Sequence, residues 1–382
     1  SGGGILAAQF WGSGDVKNIR KVLGLSILLA MTGALFFVIP NLTNPRMVMR
    51  IFTTSEGSIE LGAQYLRVAA IAYPFLALTN VYVAMLRATN KVLFPLICSC
   101  IAIGINICLN YVLIFGKFGA PAMGVAGAAC ATLVARCIEL TLILSYVYGK
   151  RLSLACGPKG MFGWSKVFIF RFIETSAPVI ANEFMWGLGT TMYSLAYGRM
   201  SDDAVAAITI ATTIQDIAVV LFQGLSAATA VILGNELGAG NLKRGKLYGI
   251  RLLKISLVCG VMASLLMLVT APIILHFVNL TPQAAGYLKG MFGVIAFYMI
   301  GRSVNDVTIN GIFGAGGDTM FDMYSLAVCM WCLAIPLAAL GTYYFHWPVV
   351  VVYACTCIDE VGKLPWVFLH FRKYKWVKDL TH

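Results

Sequence analysis

One short element occurs twice in this chain, 226 residues apart, and each copy closes one long apolar stretch and opens another. The first copy runs Ala8-Gln9-Phe10-Trp11-Gly12-Ser13-Gly14-Asp15-Val16-Lys17, followed by Arg20 and Lys21. The second runs Gly234-Asn235-Glu236-Leu237-Gly238-Ala239-Gly240-Asn241-Leu242-Lys243, followed by Arg244 and Lys246. Both turn on Gly-x-Gly and an Asp or Asn, add positive charge, and re-enter an apolar run. Six hydrophobic stretches separate the copies. An even number returns the chain to the same side of a membrane, so both basic turns are expected to face one compartment. A duplicated bundle of about six helices is the architecture of a secondary transporter.

Composition agrees with a chain surrounded by lipid. Of 382 residues, 59% are hydrophobic and 12% charged, with a mean hydropathy of +0.84. A soluble domain needs roughly a quarter of its residues charged to cover its surface. The net charge of +12 does not signal nucleic acid, because no basic run is interleaved with exposed aromatics on a soluble module. Lys and Arg gather instead at 17–21, 87–91, 150–171, 243–254 and 372–378, in alternate connections and the tail. The remaining connections hold few bases, and Glu56, Glu60, Asp202 and Asp203 offset some of them. This bias places the basic loops and the C-terminus in the cytoplasm.

The expected fold is therefore an all-α polytopic membrane protein. A helix tail occupies 1–11, and spans follow near 22–41, 62–86, 92–116, 123–148, 168–198, 203–233, 249–277, 284–313, 321–344 and 348–371. Each reaches the roughly 20 residues that cross a bilayer core. The connection 149–166 reads as a cytoplasmic linker between an N-terminal lobe, 1–148, and a C-terminal lobe, 167–382. Tyr65-Leu66-Arg67 and Tyr287-Leu288-Lys289 open matching helices in the two lobes. Mapped back by the repeat, the first lobe is expected to begin about 60 residues before Ser1, which leaves its first helix and most of its second outside this chain. Runs of small residues, Gly124 to Ala129 and Gly224 to Ala228, suit close helix packing in lipid.

A carboxylate at the centre of a span costs about 2.5–3.5 kcal/mol and needs a reason to be there. Glu183 is the foremost candidate, with Asn182 beside it and Gly187 and Thr190 on its helix face. Asp216 follows Gln215, and Asp306 stands beside Asn305 with Asn310 four residues on. Asp359 and Glu360 lie nearer a span end. Glu139 sits three residues after Arg136, a spacing that lets the two pair on one helix, and Arg136 is taken as the only clear base in mid-span. Asn106 and Asn110 project from one face and can either coordinate an ion or clamp two helices.

Enzyme chemistry finds no support. His276, His346, His370 and His382 are scattered without metal spacing, and neither a phosphate-cradling loop nor a nucleophile elbow occurs. The eleven Cys lie mostly in apolar spans and read as small buried hydrophobes. Without a nucleotide site, uphill transport must draw on an ion gradient.

Taken in order and spacing, several elements resemble the multidrug and toxic compound extrusion (MATE) transporters over essentially the whole chain. They are the two repeat copies, Asn106-x-x-x-Asn110 before Ile114-Phe115-Gly116, Gly124 to Ala129 with Ala131-Thr132, Ala204 to Ala207, and Gly224 to Ala228. The closing Arg372-Lys373-Tyr374-Lys375-Trp376 is similar to the tail of bacterial members. The resemblance implies twelve helices in two six-helix lobes, with sodium or protons entering as a drug leaves. Glu183 matches a cation-binding glutamate of the seventh helix. Asn106 and Thr132 match polar positions of an N-lobe ion site, and Asn110 stands where a proton-linked branch carries an aspartate. Asp306 lies on the helix that bears an aspartate in the sodium-linked branch, offset by about three residues, nearly one helical turn.

The expectation is thus a plasma-membrane antiporter that exports amphipathic, often cationic drugs as a monomer, with no cofactor beyond its coupling ion. Glu183, Asp306 and Asp216 would carry the cation, with Na+ at Glu183 the one metal considered. Asn182, Thr190, Tyr193, Asn106, Asn110 and Thr132 would line a substrate or cation cavity. The rival is a flippase for lipid-linked oligosaccharide or peptidoglycan precursors, which should line its cavity with several bases. A membrane enzyme and a non-transporting scaffold are the remaining classes.

Overall fold

The computed structural model describes residues 2–50 and 55–381; Ser1 and His382 lie outside them. Among the described residues the chain is helical without a strand. Its elements are α1 (Gly2–Gly12), α2 (Val16–Thr43), α3 (Pro45–Arg50), α4 (Glu56–Ala88), α5 (Leu93–Phe115), α6 (Gly124–Gly149), α7 (Pro158–Met161), α8 (Lys166–Gly198), α9 (Asp202–Gly238) and α10 (Leu242–Phe277). Then come α11 (Pro282–Asn305), running into a π-helical segment Asp306–Phe313, and α12 (Thr319–Leu326). Past α12 the same rod continues through π-helical Ala327–Ala334, α13 (Ile335–Ala339) and π-helical Leu340–Tyr344. The chain ends with α14 (Val349–Val361) and α15 (Leu364–Arg372).

Local chemistry sets these boundaries. Asp15, the acid of the first repeat copy, caps α2 by accepting the Asn18 N–H at 3.1 Å. Ser201 and Thr281 cap α9 and α11 in the same way, each satisfying one of the orphan amides at a helix start. Gly116, at φ +65°, ends α5 in the left-handed conformation, which glycine adopts without steric cost.

Eight helical segments among the described residues are long and apolar enough to cross a bilayer. Their outward side chains, such as Phe36 at 73% and Phe277 at 79% exposure, form the surface that lipid covers. The chain is a polytopic all-α membrane protein. Two expected spans differ. Residues 168–198 form α8, which is 33 residues long but diluted by Arg171, Glu174 and Glu183. The stretch 348–371 is not one helix; it breaks at Gly362 and Lys363. Pro365, in the first turn of α15, has no amide to continue the helix, and its ring excludes the preceding turn.

The chain packs as two compact units, Gly14–Ile169 and Ser1–Ser13 with Phe170–His382. In the first, α4 packs on α2 and α6, and α5 packs on α6. Gly127 lies against the Leu113 backbone, so the small-residue run of α6 serves close packing on α5. In the second, α9 meets α1, α10, α11 and the π-helical segment that follows α11. Residues 1–13, which the sequence groups with the first lobe, make their contacts here. A Cβ built on Gly12 would collide with the Asn235 carbonyl, and one on Gly238 with the Gln9 carbonyl. Gly12 and Gly238 are equivalent positions of the repeat, as are Gln9 and Asn235. The two copies therefore pack on each other with their contacts exchanged, as across a local two-fold axis.

Candidate functional site

Within the second unit, a cavity of about 100 Å3 is lined by polar and charged side chains of several helices. Asn182 and Glu183 reach it from α8, Arg302 and Asn305 from the end of α11, and Asp322 from α12. Asp306 and Asn310 come from the π-helical segment. A π turn widens the backbone spacing and is frequent at functional sites. Here the Asp306 carbonyl accepts the Ser226 hydroxyl of α9 at 2.7 Å. Glu360 stands at the end of α14, and the break at Gly362 turns Lys363 back toward it.

These groups form one network. Arg302 Nε donates to Asp306 Oδ2 at 3.1 Å and Nη1 to Glu360 Oε1 at 2.6 Å. Lys363 Nζ reaches the same Glu360 oxygen at 3.4 Å. Asn305 Nδ2 donates to Glu360 Oε2 at 2.8 Å and to its carbonyl at 2.7 Å. Asn310 Nδ2 lies 3.4 Å from Asp306 Oδ1, and Asn182 Nδ2 donates to Asp322 Oδ2 at 2.9 Å. The side chains of Asp306, Glu360 and Lys363 are each 4% exposed. Charges so buried persist only when paired and hydrogen-bonded.

The pairing is incomplete in a telling way. Four carboxyl groups, of Glu183, Asp306, Asp322 and Glu360, face two bases. Ionised throughout, the lining carries two uncompensated negative charges. The amide oxygens of Asn182 and Asn305 are buried and accept no hydrogen bond among the described residues. Carboxylate and amide oxygens are the hard donors that alkali and alkaline-earth cations take. Glu183 is exposed at the edge of this lining. At about 100 Å3 the cavity has room for a small ion and a little water, and for nothing of drug size.

A second cavity, of about 430 Å3, shares Trp186 and Arg302 with the first. Thr190, Tyr193 and Asp216 line it. The expected residues therefore divide. Asn182, Glu183 and Asp306 meet in the small cavity, while Thr190, Tyr193 and Asp216 meet in the large one. Asn106, Asn110 and Thr132 belong to the first unit, line neither cavity, and bond to one another. Asn106 Nδ2 lies 3.3 Å from Thr132 Oγ1, and Asn110 Nδ2 donates to Asn106 Oδ1 at 3.0 Å. Arg136 and Glu139 form the expected pair at 2.6 Å, with Ser99 completing it.

Arg136 is not the only base within a span. Arg302 and Lys363 are buried deeper, and the sequence reading passes over both of them and Asp322. Their signal is the one that picked out Arg136: Arg302 and Asp306 stand at i and i+4, and Glu360 and Lys363 at i and i+3.

The MatE family profile matches residues 1–112 and 178–340. A protein of Thermotoga maritima named "Probable multidrug resistance protein NorM" is 28% identical over 99% of this chain and 81% of its own length. "Uncharacterized transporter YisQ" of Bacillus subtilis is 23% identical over 98% of this chain and 82% of its own. A solved structure described as the outward-facing conformation of a multidrug resistance MATE family transporter of the MOP superfamily matches with a TM-score of 0.87. It is 18% identical and covers 98% of this chain and 82% of that one, a likeness of fold.

Proposed function

The chain belongs to the MatE family, and from that premise we propose that it is a multidrug efflux antiporter of the cell membrane. It moves amphipathic, often cationic compounds outward in exchange for Na+ or H+, with its basic loops and C-terminus in the cytoplasm. The observation that supports the coupling reading is the small cavity, where four carboxyl groups face two bases. A cation or proton that enters neutralises the lining, and its departure restores the charge. An occupant can shift a transporter between facings only by as much as it prefers one of them. Arg302 ties Asp306 to Glu360, so a change of charge in this lining alters the contacts between α11, the π-helical segment and α14, and that difference in contacts supplies the preference.

The side chains take separate parts in this scheme. Glu183, exposed and without an ion pair among the described residues, receives the entering cation. Asp306 passes the change on through Arg302 to Glu360, so the π-helical segment, α11 and α14 sense one event. Asp216 lies in the large cavity and is placed to meet the drug, not the ion.

Arg302 and Lys363 are the one observation that favours a pyrophosphate-bearing lipid as cargo. Both are engaged by Glu360, and Arg302 also by Asp306, so the lining as a whole repels an anion. Efflux of a fluorescent cationic dye from cells expressing the chain, under imposed sodium and proton gradients, tests the export reading. Glu183→Gln and Asp306→Asn should each slow gradient-driven efflux by about tenfold or more, equivalent to 1.4 kcal/mol or more. Full efflux by both variants would contradict it.

A further inference from the structure

The large cavity, at about 430 Å3, falls within the roughly 300–1,000 Å3 of pockets that bind drug-sized ligands, and its electrostatic character is unlike that of the small one. Its walls carry Trp186, Tyr193, Tyr197, Tyr298 and Tyr353, with Asp359 among them. The faces of such rings are electron-rich and attract cations. Asp359 is 7% exposed. One of its oxygens, Oδ2, accepts the Tyr193 hydroxyl at 3.3 Å. The other, Oδ1, is buried and accepts no hydrogen bond among the described residues.

No base pairs with it directly; the Tyr193 hydroxyl is its one hydrogen-bond partner among the described residues. Arg302 is the basic residue of this lining among the described residues, and its Nε and Nη1 are given to Asp306 and Glu360. Asp216 adds a second acid at an exposed position. A buried carboxylate that pairs directly with no base and lies among aromatic side chains suits a bulky monovalent cation, whose charge needs a counter-ion and whose surface is apolar. A metal ion, which needs several oxygen ligands, is poorly served there.

We propose that Asp359, set among Tyr193, Tyr197, Tyr298 and Tyr353, is the counter-ion of a binding site for lipophilic organic cations, separate from the small cavity where the coupling ion is exchanged. The ligand class rests on the export reading above. The adjacent residues Asp359 and Glu360 then face the two cavities from one turn of α14, with Arg302 between them. Arg302 lines both cavities, so a cation at Asp359 repels the same guanidinium that Asp306 and Glu360 hold.

Equilibrium binding of radiolabelled tetraphenylphosphonium to the purified chain in detergent tests the site without transport, with neutral triphenylphosphine oxide as the comparison. Wild type should bind the cation and not the neutral compound. Asp359→Asn, monodisperse by size exclusion, should bind about tenfold more weakly or worse, the effect of removing about 1.4 kcal/mol or more of attraction. Asp359→Glu should keep most of the affinity, and Tyr298→Leu should lose more than Tyr298→Phe. Unchanged binding by monodisperse Asp359→Asn, equal binding of the neutral compound, or no binding by wild type would overturn the assignment. Should the site fail while dye efflux persists, the export reading stands alone. Should efflux fail in every gradient while binding follows Asp359, the site stands and the export reading falls.

Discussion

Glu360 holds two bases at once, and that makes it the residue whose loss should be felt most. Its Oε1 accepts from Arg302 at 2.6 Å and lies 3.4 Å from Lys363, all three nearly sealed from solvent. Removing one partner of a buried pair strands the other, at a cost of about 3–5 kcal/mol. Glu360→Gln should therefore lower the thermal unfolding temperature of the detergent-solubilised chain markedly. The pair between Arg46 and Glu60 has side chains 60% and 50% exposed. Glu60→Gln should cost less than about 1 kcal/mol, as solvated pairs do. Equal shifts in the two variants would mean that the buried network contributes little. Glu183 and Asp306 were legible in the sequence because a lone acid in an apolar run stands out. Lys363 was not, since 348–371 reads as one span and the break at Gly362, which turns Lys363 toward Glu360, shows only in the structure. Arg302 sits in Gly301-Arg302-Ser303, a small polar stretch that masks its depth, and only packing against α14 shows where its charge is spent.

At the scale of elements, the duplicated Gly-x-Gly turn explains more than a loop. Gly12 and Gly238 let α1 and α9 approach until each glycine touches the carbonyl of the other copy. Close backbone approach is a main source of packing energy between helices in lipid. Gly238→Val has no space for its side chain and should reduce the yield of monodisperse protein sharply. Gly14→Ala, with nothing within 4 Å of its Cβ position, should show only the backbone strain of φ +77°. Similar yields for the two variants would refute the close-approach account. The positions of most helices were readable from the apolar runs, whereas the caps at Asp15, Ser201 and Thr281 emerged only in the structure. The π-helical segment at Asp306–Phe313 was not readable either, because its register depends on Ser226 and Thr229 of α9, which Gly311 and the Asp306 carbonyl meet. No spacing within one helix announces a partner 80 residues away.

For the whole molecule, the second unit separates a small acidic cavity from a larger aromatic one and gives both a single shared base. On the proposed reading the ion and the drug occupy different places joined by Arg302. It predicts that Asp359→Asn changes the concentration of cationic dye at half-maximal efflux, while Glu183→Gln changes the dependence on the ion gradient. Efflux kinetics over a range of dye and ion concentrations separate the two effects. A variant pair that shifted both dependences together would point to one merged site. The long apolar runs made a polytopic all-α membrane protein legible from the sequence. The division between cavities was not, since Asp359 and Glu360 are neighbours in the chain and part only when α14 is packed.

The most direct test of antiport is the reverse exchange in liposomes containing the purified chain. An imposed gradient of cationic dye should drive Na+ or H+ uphill across the membrane in wild type, and Asp306→Asn should abolish that ion movement. Dye that crosses at the wild-type rate while no ion moves would contradict the coupling assigned to this cavity.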